Sequence, residues 1–482
     1  MTKKVLVLNP PTPVNGYINR DLMGGMGVAM RFGGDFFSRL ISRVKSNYIH
    51  IPVMQLVYGA TLLHGAGFDV LVIDASNENK NVDDVLKKAS NFNPDFVVMA
   101  VSSSGIIFER EVMAASLKKS FPSVKIIAVG DMLTEMPELI QPWFDIDVTG
   151  ELENNIVSLC KGENPEDIPG LILNKNGQVL KTGPGGRLQQ KELEELPLPH
   201  WDLFPYKTYR YYPMLTATPV AAIQASRGCP YDCGYCPYTK NQGKQWRARR
   251  AENIFEEIIH DMTYGFQGFI FRDPLFSLDK KRVENLCNMI IDKKIKIQFV
   301  VETRPELLDD NLIKKMRAAG CCAINFGIED IHPDILRNVN RKPIETDRII
   351  ERVQQCEQIG IRTSCFFILG LPGSTKQTIE ETIQFSKKLF ASQTEYKIAT
   401  PYPGTELYKM AKKNNWLTSE SFDVLTGYTS SMQISKELTP EYLEQKSNEA
   451  FRQYYFSPRY LLREIVRGRI LKNIYFAIKN LK

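Results

Sequence analysis

Three cysteines fall within eight residues, in the run Arg227-Gly-Cys229-Pro-Tyr-Asp-Cys233-Gly-Tyr235-Cys236-Pro. The pattern is Cys-x3-Cys-x2-Cys, set among Gly and Pro residues that let three thiolates turn toward one inorganic core. A closed zinc site takes four ligands, yet the nearest other cysteine is Cys287 and no His lies close to the loop. A ferredoxin-like electron carrier would also want a fourth cysteine near by. Cys229, Cys233 and Cys236 therefore suit a [4Fe–4S] cluster whose fourth iron stays open to a substrate or cofactor.

The elements around this loop read as two successive α/β units. The first, residues 1–162, alternates short apolar runs with amphipathic stretches in the manner of a doubly wound domain. Its strands are expected at Lys4–Asn9, Asp69–Asp74, Phe96–Val101, Lys125–Val129 and Ile146–Thr149. Such a sheet binds ligands at its carboxyl ends. Those ends carry Ser102-Ser103-Ser104, Gly130-Asp131-Met132-Leu133-Thr134 and Gly150-Glu151. Residues 163–219 are broken by Pro and Gly and read as a linker with room for one hairpin.

From residue 220 to 407 six further strands alternate with helices, near Val220–Ser226, Phe269–Arg272, Ile297–Glu302, Ala323–Ile328, Thr363–Leu369 and Tyr396–Ala399. This is the pattern of a partial (β/α)6 TIM-like barrel, with its chemistry on the loops at the strand carboxyl ends. The cysteines follow the first of those strands. Residues 408–482 read as a small helical C-terminal region.

Composition agrees with a folded protein of two or three domains: 482 residues, 43% hydrophobic and 24% charged. The opening apolar run is too short for a signal peptide, and no stretch approaches the roughly 20 apolar residues of a membrane span. A cytoplasmic location is expected, where nine cysteines argue against a disulfide framework. Of the net charge of +6, residues 451–482 hold eight Lys or Arg against one Glu, a local +7. Arg459, Arg463 and Arg467 stand four apart there, beside Leu462, Ile465, Val466, Ile470 and Ile474, as on a basic amphipathic helix. Packing on the barrel is the plainer reading and peripheral contact with an anionic membrane the sharper one. No nucleic-acid module is recognisable.

The cysteine motif, placed after a first barrel strand, resembles the signature of the radical S-adenosylmethionine (SAM) superfamily. The similarity runs on through Phe271-Arg-Asp273-Pro, Val301-Glu302-Thr-Arg304, Phe326-Gly-Ile-Glu329, Ile368-Leu-Gly370-Leu-Pro-Gly373 and Pro401-Tyr-Pro-Gly-Thr405. The resemblance implies that SAM chelates the open iron and is cleaved by one electron to methionine and a 5′-deoxyadenosyl radical. It also implies SAM contacts from Tyr235, Asp273, Glu302, Glu329 and Gly370. Carboxylates there can accept hydrogen bonds from ribose hydroxyls or the SAM ammonium, and Gly370 would let backbone approach adenine.

The first domain resembles the cobalamin-binding domain that precedes one large class of these enzymes, through Asn9-Pro-Pro11, Tyr58-Gly-Ala60, Gly67-Phe-Asp-Val-Leu-Val-Ile-Asp74, Val129-Gly130, Thr134 and Gly150-Glu151. It implies cobalamin contacts from Ser102, Ser103, Gly130, Thr134, Gly150 and Glu151. Asp131 stands where that class often has a second glycine. The Asp-x-His-x-x-Gly cobalt-ligating motif is absent, and His64 reads as part of a helix ended by the glycines that follow.

The resemblance implies a C-methyltransferase acting on an unactivated carbon of a small-molecule, lipid or natural-product substrate. It also implies an external one-electron reductant of flavodoxin or ferredoxin type. A cobalamin-containing cyclase or rearranging enzyme is the second expectation, and a non-catalytic iron–sulfur or corrinoid-binding redox sensor the third. The transfer-RNA methylthiotransferases need three further cysteines in the first domain, where only Cys160 occurs.

Overall fold

Strand β1 (Lys4–Asn9) buries Val5 to Leu8 completely, which requires cover on both faces of its sheet. The computed structural model describes residues 2–13, 17–21, 28–30 and 48–468. In it β1 lies between β2 (Asp69–Asp74) and β3 (Phe96–Ala100), followed by β4 (Lys125–Val129) and β5 (Ile146–Val148). All four pairings are parallel, so the order is 2-1-3-4-5 and the crevice of this doubly wound sheet opens between the ends of β1 and β3. Helices α1 (Met54–Gly65) and α2 (Val82–Phe92) carry the first two crossovers.

The sheet continues into the expected linker. Strands β6 (Leu171–Lys175) and β7 (Gln178–Lys181) form a hairpin antiparallel to β5. Asn176 and Gly177 both have positive φ, +53° and +81°, as a two-residue type I′ turn demands. The rest of the segment is anchored as well: Trp201 is fully buried with Nε1 donating to Asp261 at 2.6 Å, and the Tyr209 hydroxyl donates to Asp74 at 2.8 Å.

Strands β8 (Val220–Ile223), β9 (Gly268–Phe271), β10 (Gln298–Thr303), β11 (Cys321–Glu329), β12 (Arg362–Leu369) and β13 (Gln393–Ile398) follow in consecutive order, every pairing parallel. The sheet leaves β8 and β13 unpaired with each other, so this is the expected partial barrel. Helices α3 (Ala251–Thr263), α4 (Lys280–Asp292), α5 (Asp310–Ala318), α6 (Thr346–Gln358) and α7 (Lys376–Lys388) bury their apolar stripes outside it.

One apolar core runs from Val5 and Tyr58 through Trp201 into the barrel. Buried charge also crosses the seam. Glu151, after β5, pairs with Arg247 at 2.7 Å and Arg227 at 3.3 Å, and Arg227 also meets Glu153 at 2.6 Å. These side chains are at most 5% exposed. Burial raises the Glu151 carboxyl, but the two guanidiniums outweigh it and hold the group below the usual carboxylate range.

At the C-terminus, α8 (Pro440–Tyr455) packs on β13, with Ser447 donating to Tyr396 O at 2.7 Å. On α9 (Pro458–Val466) Arg459 lies 3.8 Å over the Phe390 ring and Arg463 donates to Phe390 O, while Arg467, just after it, meets Glu357 at 2.5 Å. All three cations thus have partners on the barrel, which favours the packing reading of this helix over the membrane one. Ile470 and Ile474 lie outside the described residues. Among the described residues no helix is long and apolar enough to cross a membrane.

Glu151→Gln removes the one carboxylate facing both Arg227 and Arg247, and its expected cost is about 3 kcal/mol of unfolding free energy by urea titration at neutral pH. Because the folded-state pKa is lowered, the ion pair's stabilisation is present above the unfolded value of about 4.3 and is lost as pH falls through the lower folded value. The gap between parent and variant should therefore narrow in acid. An equal gap at every pH would contradict the assignment.

Candidate functional site

The cysteine loop leaves the barrel through Ser226–Arg227, which pair antiparallel with Arg247–Ala248. Gly228 must turn the chain: its φ is +81°, and an added Cβ would sit 2.1 Å from Gln245 O. Main-chain bonds fix the rest, Cys229 N to Gly243 O at 3.1 Å, Gly234 N to Val339 O at 2.7 Å and Leu407 N to Gly234 O at 2.8 Å. The last two tie the loop to segments following β11 and β13.

Cys229, Cys233 and Cys236 all face one cavity of about 340 Å³ inside the barrel mouth. Burial raises the Cys229 thiol, and the Tyr231 amide, Arg304 and Arg341 oppose the rise while Cys233 adds to it. Cys236 is pushed up by burial and by both other cysteines. The three sulfurs thus share one electrostatic neighbourhood. Among the described residues no three His, Cys, Asp or Glu gather tightly enough for a single ion. Three partly exposed thiols beside two guanidiniums are a donor set that suits a cluster of net negative charge.

Three of the five expected SAM contacts line the same cavity: Tyr235, Glu302 and Glu329. Glu329 ends β11 after a register shift and has φ +73°, a strained backbone that aims its carboxylate at the Tyr235 hydroxyl and at Arg341, 3.8 Å away. Burial raises the Glu329 carboxyl, with Arg341 and Tyr235 pulling against it. Glu302 is held by Arg272 at 3.1 Å, and Arg304 stacks 4.4 Å over Tyr231.

Two expected contacts lie elsewhere. Asp273 is fully buried off the cavity, where it accepts from the Ser226 hydroxyl and so steadies the strand before the cysteine loop. Gly370 has φ +80° and the place of its Cβ is taken by Leu443 of α8, 2.9 Å away, so the residue serves helix packing. Sequence reasoning missed Asp21 and Arg341. Neither lies in a periodic element, and only the folded chain brings Arg341 to the cavity wall and Asp21 behind Arg272.

In the first domain, Ser102 binds the Glu109 carboxylate through its amide and its hydroxyl, each at 2.7 Å. Glu109 in turn pairs with Arg20 at 2.7 Å, both side chains wholly buried, and Arg20 bonds Asn9, Pro10 O and Pro11 O across the crevice. Ser103 is fully buried. Gly130 has φ +150° and an added Cβ would lie 2.4 Å from Val101 O, so the glycine serves the approach of β3 to β4. Thr134 lies 3.4 Å from Asp147. Gly150 is pressed by Gly186 O, 2.6 Å from where its Cβ would be, and Glu151 belongs to the seam.

What stays uncommitted there is informative. The buried Ser104 Oγ, Asp131 Oδ2 and Asp147 Oδ1 have no hydrogen-bond partner among the described residues. Burial, Glu135 and Asp147 raise the Asp131 carboxyl well above its usual range. Orphaned hydroxyl and carboxyl groups at the sheet's carboxyl edge fit a ligand edged with amides, as a corrinoid is.

Comparison with known proteins agrees with this geometry. The radical SAM superfamily profile matches residues 223–386 and the B12 binding domain profile residues 43–159. An uncharacterized methyltransferase, PH0819, of Pyrococcus horikoshii is 30% identical over 87% of this chain and 92% of that protein. The anaerobic magnesium-protoporphyrin IX monomethyl ester cyclase of Rubrivivax gelatinosus is 26% identical over 74% of this chain and 66% of its own. The radical SAM methyltransferase TsrM of Kitasatospora setae, solved with cobalamin and a [4Fe–4S] cluster, superposes with a TM-score of 0.67 over 92% of this chain and 85% of that one, at 17% identity.

Gly228→Ala should show how tightly the loop is built. The left-handed φ alone costs about 1–2 kcal/mol for alanine, before the overlap with Gln245 O. The expected result is a protein with parent-like circular dichroism that retains far less iron and sulfide after reconstitution; full retention would show the loop to be slack.

Proposed function

The chain belongs to the radical SAM superfamily, in the class that carries a B12-binding domain ahead of the radical core, and we propose that it is a cobalamin-dependent C-methyltransferase. Its cofactors are a [4Fe–4S] cluster, SAM and cobalamin. The observation that carries the proposal is the shared cavity, where three cysteines, three carboxylates and residues Asn19, Ile49 and Ile51 of the first domain line one space. The relative named a methyltransferase aligns over 87% of this chain.

When bound, the cluster supplies the electron that cleaves SAM and the corrinoid supplies the methyl group. The chain's own part is to hold and orient. Cys229, Cys233 and Cys236 would hold three irons, Glu302 and Glu329 would accept hydrogen bonds from SAM, and Tyr235 would lie against it. Gly130, Thr134, Ser104 and Asp131 would meet the corrinoid edge. Ser102 and Glu151 act by fixing the walls around it. Inward-facing Phe366, Ile368 and Leu275 exclude water, as a carbon-centred radical requires, and Glu395 and Lys397 set a polar end for a small-molecule substrate. A flavodoxin- or ferredoxin-type protein would deliver the electron.

A second reading rests on the cyclase relative, which aligns over three quarters of this chain. It keeps the same cofactors and omits methyl transfer.

Anaerobic reconstitution with iron, sulfide and hydroxocobalamin, then desalting and a dithionite-driven assay, separates the readings. Retained corrinoid together with 5′-deoxyadenosine is expected, and a substrate that gains one CH2 unit by mass establishes methyl transfer. A product without that gain favours the cyclase reading. Absence of SAM cleavage in a well-folded, cluster-loaded sample, no better than a Cys229→Ala, Cys233→Ala, Cys236→Ala variant, would reject both in favour of a sensor.

A further inference from the structure

Glu302 is not held by the barrel alone. Its partner Arg272, 4% exposed just after β9, donates from Nη1 to Glu302 at 3.1 Å. On its other edge Arg272 Nε donates to Asp21 Oδ2 at 2.8 Å and Nη2 donates to Asp21 O at 3.3 Å. The second Asp21 oxygen accepts from Met54 N, at the start of α1, at 3.0 Å, and Asn19 accepts from the Asp21 amide at 3.0 Å. Asp21 lies outside both matched profiles, which cover residues 43–159 and 223–386.

One guanidinium thus stands between two carboxylates of unequal burial: the Asp21 side chain is 5% exposed and that of Glu302 26%. Arg272 cannot shed its proton, so its charge has to be matched where it lies. Asp21 makes the shorter contact, and its carboxylate is itself fixed by the Met54 amide. The triad as a whole carries one negative charge more than it neutralises, and the exposed member that presents it to the cavity is Glu302.

We infer that Asp21 is a positioning residue for SAM: by matching Arg272 from the first domain, it leaves the Glu302 carboxylate available as an acceptor facing the cavity. Without the Asp21 charge, Glu302 becomes the only carboxylate in contact with a buried guanidinium and is drawn into that pair. A carboxylate so engaged accepts less well from the ammonium or ribose hydroxyls of SAM. The inference rests on the reading of Glu302 as a SAM contact.

The test is the dissociation constant of SAM itself, measured anaerobically on cluster- and cobalamin-loaded holoprotein with the cluster oxidised, so that no turnover occurs. Loss of a charge-assisted hydrogen bond in Glu302→Gln should weaken SAM roughly tenfold or more. Asp21→Asn, equal in size and able to keep the Met54 contact, should weaken it by several-fold. The double variant should be no weaker than Glu302→Gln alone, because the first residue acts only through the second. Iron and cobalamin contents report whether each variant is loaded. Arg272→Lys, which keeps the charge and loses the two-sided fork, should behave as Asp21→Asn does and serves if that variant folds poorly.

Parent-like affinity in Asp21→Asn beside a weakened Glu302→Gln would overturn the inference and leave the reading of Glu302 intact. Parent-like affinity in Glu302→Gln would overturn that reading and the inference with it. Additive losses in the double variant would show Asp21 to be structural only.

Discussion

A guanidinium cannot be neutralised by giving up its proton, so each arginine buried in this protein must meet a carboxylate or a set of carbonyls in place. Arg227, Arg247 and Arg272 are all buried where the two α/β units meet, and each finds its acid on the other unit: Glu151 and Glu153 for the first two, Asp21 for the third. Apolar surfaces alone tolerate sliding, whereas these pairs fix the register of one unit on the other. Arg227 is also the last residue before the cysteine loop, and Arg272 is the partner of Glu302. The docking of the domains and the shape of the site are therefore set by the same few contacts.

Two left-handed residues stand at the cavity. Gly228 takes a backbone conformation closed to other residues, and Glu329 adopts positive φ at an irregular strand end. Elsewhere the barrel strands pair in parallel, with one further register shift at Phe299 and Val300, and bury their apolar faces. Arg304 and Arg341 bring positive charge to the loop and oppose the rise that burial gives the Cys229 thiol. Cys229, Cys233 and Cys236 would bind the cluster as thiolates, so its affinity would depend on pH.

The two α/β units were legible in the sequence because their strands are short, apolar and evenly interrupted, and the cysteine spacing alone limited the metal chemistry. The segment 163–219 reads as a linker with room for one hairpin, and one hairpin is present there, continuing the first sheet. Its Asn176-Gly177 pair is a strong hairpin signal, yet β7 is exposed along its whole length and shows no apolar alternation. Asp273 and Gly370 illustrate a different limit: a motif fixes which residue stands at a strand end, and only the packed neighbours decide whether it faces the cavity or Ser226 and Leu443. Asp21 and Arg341 carry no pattern, and their importance comes from tertiary pairing alone.

The claim on which the account turns is that both domains close on one compartment, so that cluster and corrinoid act within it together. Electron paramagnetic resonance of the holoprotein, with the cluster reduced and the corrinoid in its cobalt(II) state, tests this directly. The account predicts that each signal is broadened or split by the other paramagnet, compared with samples loaded with one cofactor only. A spectrum equal to the simple sum of the two separate signals would contradict it.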